Sequence, residues 1–549
     1  MIERGRQRNW DRLATLADTL PAREDSESWL LRMLERNSET EFGKRHFFEN
    51  IRSVSDFQKN VPLHGYDDFA PFIGRMADGE PDVLFGGRAV AFERTSGSNS
   101  LNSRPTGTGS RAAKLVPYSA HSLQDFRLAL LPWLSSLIRE HGLTGSAYWS
   151  VSPAMRRPGT TTGGIPIGMV DHAYLGQDTA EDFVTLSAVP AWVGNIGELS
   201  SWRLATLYHL LLAEDLSFVF LWSPSFFLRL LDGLREAAPE LRLLLREGGI
   251  LDGHRLEAAP AVLPCLESCL RSGDFRLLWP RLKLISAWAD ASAAGYAEML
   301  QKALPGVSFQ PKGLLCTEGV VTVPNDQGKT VTVEGCGFLE FLDQDGQILL
   351  EPALREGSEY QVIMSTSGGL YRYLSGDQVL CTGRNKGKAV LRFTGRAGLT
   401  SDLVGEKLAE PFVCGCLEGL SGFRMLLPQG GAFPHYLLLL DMQDYDEPGA
   451  QEAAKTVEAA LTANPQYAYA RALGQLGSVR AVSVKLPLER YVAWAGPRLH
   501  TGSGVLKIPA LCSNPEFAAF AAHGDECGAK APEHGANTIL ASDGGGTRH

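Results

Sequence analysis

The 549 residues hold no stretch of about 18 uncharged apolar residues, so no membrane-spanning helix is expected. Runs of lysine or arginine are missing and the net charge is −10, so electrostatics give no push toward nucleic acid or an anionic membrane. The charged, amphipathic start, MIERGRQRNWDRLATLADTL, lacks the apolar segment of a signal peptide. The nine cysteines, at 265, 269, 316, 336, 381, 414, 416, 512 and 527, form no CxxC pair. They read as reduced thiols of a cytoplasmic protein. No repeat of 20 to 50 residues is present, and no GxxxxGK[ST] phosphate loop. What remains is ordinary for a soluble globular chain, with 44% apolar and 21% charged residues. The length supports more than one domain.

Apolar residues three and four apart predict helices through the first 80 residues, as in LLRMLERN and YDDFAPFIGRM (66–76). HSLQDFRLALLPWLSSLIRE (121–140) predicts another, interrupted at Pro132. SAYWSVSP (146–153) and LKLISAW (282–288) read as strands, and LSFVFLWSP (216–224) as a buried strand. Between and after them come the helical LATLYHLLLAEDL, FFLRLLDGLREAAPELRLLLREG and ADASAAGYAEMLQKAL. Alternating strands and helices predict an α/β fold with a largely parallel sheet. From about 308 short β-rich segments with Gly or Asp turns predict antiparallel hairpins. After 395–408 a small α+β unit follows, with strands in HYLLLLDM and VRAVSVKLP and helices in QEAAKTVEAALTA and AYARALGQL. The expected division is 1–396, 397–520 and a disordered tail 521–549, small and polar in composition.

Five stretches have residue types suited to nucleotide chemistry. TSGSNSLNSRPTGTGSRAAKLVPYS (95–119) is rich in Ser, Thr and Gly, as either a surface loop or a phosphate-wrapping backbone requires. GTGSRA within it fits a loose GxGxxA, but no strand leads in and no helix leaves, which discounts a dinucleotide site. In LLCTEGVV (314–321) Thr-Glu is a turn or, in a nucleotide site, a phosphate donor (Thr317) and a Mg²⁺ ligand (Glu318). In YRYLSGDQVL Asp377 is a turn residue or an acceptor for two ribose hydroxyls. FTGRAGLTSDLVGEKL carries Arg396, Asp402, Glu406 and Lys407, which by themselves read as a solvated loop. SGVLKIPAL carries a single lysine, Lys507, among apolar residues.

The order of these signals is more specific than any one of them. TSGS…KLVPYS, CTEG, TSGGLYRYLSGD and GRAGLTSDLVGEKL together resemble the Gretchen Hagen family of acyl-acid amido synthetases, within the adenylate-forming enzymes. YWSVSP, GGIPIGM, LWSPSF and SAWAD resemble its bacterial branch. The likeness runs over roughly residues 30 to 515.

The resemblance implies a large N-terminal domain of mixed sheets with a β-rich subdomain, and a small mobile C-terminal domain on a hinge near 396–402. ATP and Mg²⁺ chemistry is implied at their cleft. Thr95, Ser96, Gly97 and Ser98 match the phosphate loop. Thr317 and Glu318 match the residues near the α-phosphate and Mg²⁺, and Asp377 the ribose-binding Asp. Arg396 and Lys407 match the nucleotide-binding pair at the hinge, and Lys507 the late lysine of the small domain. One departure stands out: about a dozen residues, roughly Asn99 to Arg111, separate TSGS from its strand. Thr106 to Ser110 therefore compete for the phosphate-loop assignment.

The implied reaction joins a small-molecule carboxylic acid to an amine or amino acid through an acyl-adenylate, releasing pyrophosphate and AMP. Glu318, Lys407 and Lys507 are the expected catalytic groups, neutralising charge at phosphorus. Trp222, Phe226 and Trp288 are candidates either for the acid pocket or for the core. Two rivals remain. One is a ligase with a thiol acceptor, CoA or a carrier protein. The other is a nucleotide-binding homologue without turnover. Nucleic acid and membrane are not expected partners, and the oligomeric state is open, with a monomer one option.

Overall fold

The computed structural model describes residues 2–94, 114–149, 159–169, 171–397, 399–404, 406–430, 433–472, 475–499 and 506–522. Thr95, Ser96, Gly97 and Ser98, the 99–111 insertion and the tail from 523 lie outside the described residues, and so do the expectations placed on them.

The expected parallel sheet is present. Its four strands run Ser308–Pro311, Leu284–Ala287, Phe218–Phe220, Ala147–Trp149 in spatial order, each parallel to its neighbour. Parallel pairing needs a crossover, and the helices Pro224–Glu236, Leu263–Ser272 and Ala294–Ala303 supply the chain between strands. Their apolar faces close a core around Leu211, Phe227, Leu230, Trp279 and Leu300. Ser308–Pro311 moves the start of the antiparallel region later than expected. A short apolar run does not state its pairing direction; here the helix before it carries the chain back to a parallel position.

The β-rich region follows. Seven strands lie in the order Thr322–Pro324, Thr330–Thr332, Lys388–Arg396, Tyr373–Asn385, Glu359–Ser365, Phe338–Leu342, Ile348–Leu349, all antiparallel. The N-terminal helices pack on this sheet. They are tied to it by Arg372, whose guanidinium meets Glu340 at 2.9 and 3.0 Å and donates to the carbonyls of Gln58 and Val61. The pair is buried, so it needs every one of these bonds to offset desolvation.

The long helix Ala120–His141 runs straight through Pro132, against the expected interruption. A proline at position i leaves the carbonyl of i−4 without its N–H. That carbonyl, on Leu128, accepts from Arg23 Nε (3.1 Å) and Nη2 (2.7 Å) instead. The cost of the missing helical bond is thus offset from outside the helix.

The last unit is built on three strands, Arg424–Gln429, His435–Asp441 and Arg480–Val484, with helices Glu447–Leu461 and Pro465–Ala472, the second beginning ahead of the expected AYARALGQL. Two further helices, Pro487–Leu499 and Pro515–Ala522, had no clear sequence signal. Residue Leu511 bridges to Leu426, so the 506–512 segment lies along this sheet. Apolar contacts among Tyr296, Met299, Met425, Leu488 and Tyr491 join the unit to the rest of the molecule.

Candidate active site

Ligands of parallel sheets collect outside the carboxyl ends of the strands, and a cavity of about 140 Å³ lies there. The strand ends deliver Trp149, Phe220, Trp222 and Trp288 to its wall, and the long helix adds Trp133. The rings form a connected chain: Trp149 to Phe220 is 5.9 Å, Phe220 to Trp222 6.1 Å and Trp222 to Trp288 5.7 Å between centroids. Behind them the fully buried Lys312 puts its ammonium 5.3 Å from the Trp133 centroid and 5.2 Å from Trp222.

Phe226 does not reach this cavity. It lies on the helix Pro224–Glu236, 4% exposed, and packs on Trp202 at 5.6 Å. The turn at Pro224 separates it from Trp222, sending one ring to the cavity and the other to the core. Phe226→Leu is expected to cost about 0.5–3 kcal/mol and to leave acid preference as it was. Chemical denaturation and a substrate panel on the same sample check both halves.

The polar end of the cavity is assembled from three separate segments. In the first, Cys316 and Gly319 exchange backbone bonds at 2.9 and 3.3 Å, closing a tight turn with Thr317 and Glu318 at its tip. The Tyr118 hydroxyl donates to the Thr317 carbonyl and fixes that tip. In the second, strand register sets Asp377 directly opposite Arg396. Arg396 Nε donates to Asp377 Oδ1 at 2.8 Å, and the Cys316 thiol to Oδ2 at 3.2 Å. Gly376 turns the chain into this position with φ 82°, a value that favours glycine. The third is the 506–512 segment, which brings Lys507 between Trp288 (5.3 Å) and Phe393 (5.7 Å).

The two buried carboxylates are driven apart. Burial pushes Asp377 up, but Arg396 and then Lys507 outweigh it and hold the carboxyl below its usual value. Burial dominates at Glu318 and raises it, with Asp377 adding to the rise and Arg396 and Lys507 opposing it. A cation at Glu318 would reverse that rise. Among the described residues no cluster of three or more His, Cys, Asp or Glu side chains can hold a metal ion. A lone carboxylate such as Glu318 cannot cage a resident ion by itself.

Glu410 accepts from the Ala510 N–H at 3.1 Å, anchoring the Lys507 segment, and burial lifts its carboxyl to about 7. Lys407, in contrast, is exposed, at φ 46° in the turn between Thr400–Ser401 and Leu408–Ala409. Its neighbour Glu406 points inward and accepts from Leu403 N and Val404 N, both at 2.8 Å. The structure therefore brings Thr317, Glu318, Asp377, Arg396, Lys507, Trp222 and Trp288 together, and leaves Lys407 outside.

Sequence reasoning passed over Glu93, Tyr118 and Lys312. A second cavity of about 50 Å³, lined by Asp290, Tyr296 and Phe393, shares Trp288, Leu315 and Lys507 with the first.

Residues 16–309 match the GH3 family N-terminal domain and residues 330–396 the GH3 family central domain. The chain belongs to the GH3 family. GH3 relatives include the indole-3-acetic acid-amido synthetase GH3.15 of Arabidopsis thaliana, 25% identical over 472 residues, 78% of this chain and 76% of that protein. The 4-substituted benzoates-glutamate ligase GH3.12 of the same plant is 20% identical over 444 residues, 74% of this chain and 73% of that one. A solved GH3.15 acyl acid amido synthetase superposes with a TM-score of 0.77 at 19% identity, covering 90% of this chain and 92% of its own. A 2-hydroxyisobutyryl-CoA ligase superposes at 0.51 and 13% identity, covering 93% and 90%. Both superpositions show a shared fold.

Proposed function

We propose that this GH3 protein is an ATP-dependent acyl-acid amido synthetase. The observation that carries the reading is a cavity running from an aromatic chamber to Arg396, which is paired with the buried Asp377, with Glu318 and Lys507 also on its wall. The acid lies in the chamber with its carboxylate toward Lys507. That carboxylate attacks the α-phosphorus of ATP, pyrophosphate leaves, and an amine or amino acid then displaces AMP from the acyl carbon.

Asp377 accepts from the ribose. The smaller cavity takes the adenine, with Asp290 as a polar group on its wall. Arg396 and Lys507 spread the charge that builds at phosphorus, in a site whose low dielectric strengthens them. Glu318 would hold Mg²⁺, which supplies Lewis-acid stabilisation of the phosphates. Holding acid and phosphate in one cavity adds to this through orientation. Lys407 acts in another orientation of the small unit, which swings about a hinge near 396–402 between the domains 1–396 and 397–520. The aromatic walls favour an aryl acid, in line with the indole and benzoate acids named for the relatives. On our reading the chain is of the bacterial branch and works in the cytoplasm; the cysteines among the described residues are all free thiols. No described helix is long and apolar enough to cross a membrane.

The test is a trapping assay with ATP, Mg²⁺, hydroxylamine and a panel of aryl, indole and fatty acids. The expected result is AMP together with a hydroxamate of one acid class. ATP binding with no AMP from any acid would overturn the reading. Thioester from added CoA, with no amide, would move the protein to the thiol ligases.

A further inference from the structure

Lys507 lies on a segment without helix or strand geometry of its own, so groups outside that segment must set where its ammonium stands. On one side the segment is tied to the small sheet. The Leu426 N–H donates to the Ala510 carbonyl at 2.8 Å, and the Cys512 N–H to the Leu426 carbonyl at 3.0 Å. On the other side the Ala510 N–H donates to Glu410 Oε1 at 3.1 Å. Ala510 follows Lys507 closely, within about 11 Å of chain, so a shift at this bond is felt at the lysine.

Glu410 is buried and opens the helix Glu410–Cys416. Its own N–H donates to the Leu399 carbonyl at 2.8 Å. The start of that helix is pressed onto the end of the strand Lys388–Arg396. A Cβ at Gly395 would fall 3.0 Å from Pro411 Cγ and 3.2 Å from its Cα. The Arg396 backbone N–H also bonds to the Glu410 carboxyl. One carboxylate thus joins the strand end at Arg396 to the segment that bears Lys507, and both cations line the main cavity.

Arg396 and Lys507 are the cations that act on this carboxyl, and both favour its ionised form. Cys414 on its own helix, Tyr491 on the helix Pro487–Leu499 and Cys512 are the titratable groups that feel its charge. Arg424 stands beyond Cys414, sharing a small hollow with it and Ala510. The helix Glu447–Leu461 shares an apolar cluster with this helix through Ala450, Ala453 and Ala454. The turn Ala291–Ala293 carries no ionisable side chain. Burial outweighs the two cations and lifts the carboxyl to about 7. Ionised, it accepts both N–H bonds with the added strength of charge. Protonated, it gives up acceptor capacity and gains a hydroxyl to place. The anchor is therefore complete on the alkaline side of neutrality and weakened on the acid side.

We propose that Glu410 is a positioning residue for adenylation, whose ionised carboxylate holds the 506–512 segment so that the Lys507 ammonium stands at the cavity. The inference rests on the amido synthetase reading above. The experiment measures single-turnover AMP formation by the full-length protein from about pH 6 to about pH 8.5, with ATP, Mg²⁺ and the best acid of the trapping panel. Hydrogen exchange of the peptide spanning 506–512 is followed beside it. Glu410→Gln keeps the shape and one acceptor oxygen and cannot ionise. Its rate is expected to match the wild type at the acid end and to fall to about a tenth of it at the alkaline end. Titration of the substrates cancels in that ratio, because both proteins meet the same ATP and acid. Glu410→Asp should keep the wild-type profile at a reduced rate. The Ala510 amide should exchange faster in Glu410→Gln than in the wild type, by a factor that grows with pH. A rate ratio constant with pH would show a purely structural role and overturn the proposal, as would equal rates throughout or unchanged exchange at Ala510. No AMP from the wild type with any acid takes down the amido synthetase reading and the adenylation role with it, a distinct result that leaves the exchange comparison to report on the anchor alone.

Discussion

Asp377→Ala is expected to weaken ATP binding by roughly 10²–10⁴-fold, because hydrogen bonds to a charged group are each worth about 1.5–3 kcal/mol and the proposed ribose contact makes two. Both carboxylate oxygens are already engaged, one by Arg396 and the other by the Cys316 thiol. A thiol is a weak donor, so a ribose hydroxyl displaces it at little cost, and each oxygen has a second lone pair to offer. Arg396 meanwhile keeps the carboxyl ionised and aimed. The same substitution strands a largely buried guanidinium, so a loss of folding stability of up to about 3–5 kcal/mol accompanies it. Asp377→Asn separates the two effects, since it keeps the shape and one acceptor while removing the charge. Calorimetry with ATP on folded Asp377→Asn should still show a loss of tenfold or more. Nucleotide affinity equal to wild type in both variants would remove Asp377 from the ribose and leave it as Arg396's partner only.

The parts of this site that the sequence announces are those whose backbone is special. SGD stands out because Gly376 takes a positive φ, though it lies inside the strand Tyr373–Asn385 and not in the turn that Asp377 suggested, and CTEG reads as a turn because its residues close one. The pairing of Asp377 with Arg396 is invisible, since it depends on strand register across a long hairpin and not on spacing. The aromatic chamber is illegible for a different reason. Trp222 and Phe226 are four residues apart and chemically alike, and only the helix that begins at Pro224 decides which one faces the core. Pro132 misleads because the residue that repairs its helix, Arg23, lies more than a hundred positions away. Glu93 hides in AFER, where a strand's alternation gives a charged residue no mark beyond being on one face. The α/β alternation and the small α+β unit were legible because they rest on local periodicity, which long-range contacts only reinforce.

Lys507→Ala is expected to slow acyl-adenylate formation by roughly 10²–10³, the range seen when one preorganised donor to developing charge is removed. The fold should survive, because the neighbours that hold the segment are apolar or backbone: Leu506 and Ile508 are buried, and Glu410 holds Ala510. The lysine stem lies between two aromatic faces, so a residual contribution from lost cation–π contact, about 0.5–1 kcal/mol at each ring, falls on docking and not on chemistry. Single-turnover formation of AMP, measured at saturating acid and ATP, isolates the step. The same assay on Lys407→Ala decides which lysine serves it. In the arrangement seen here Lys507 lines the cavity and Lys407 is on the surface, so the first variant should lose far more than the second. The reverse order would mean that the small unit turns before adenylation, bringing the 400–409 hairpin to the phosphates and carrying Lys507 away.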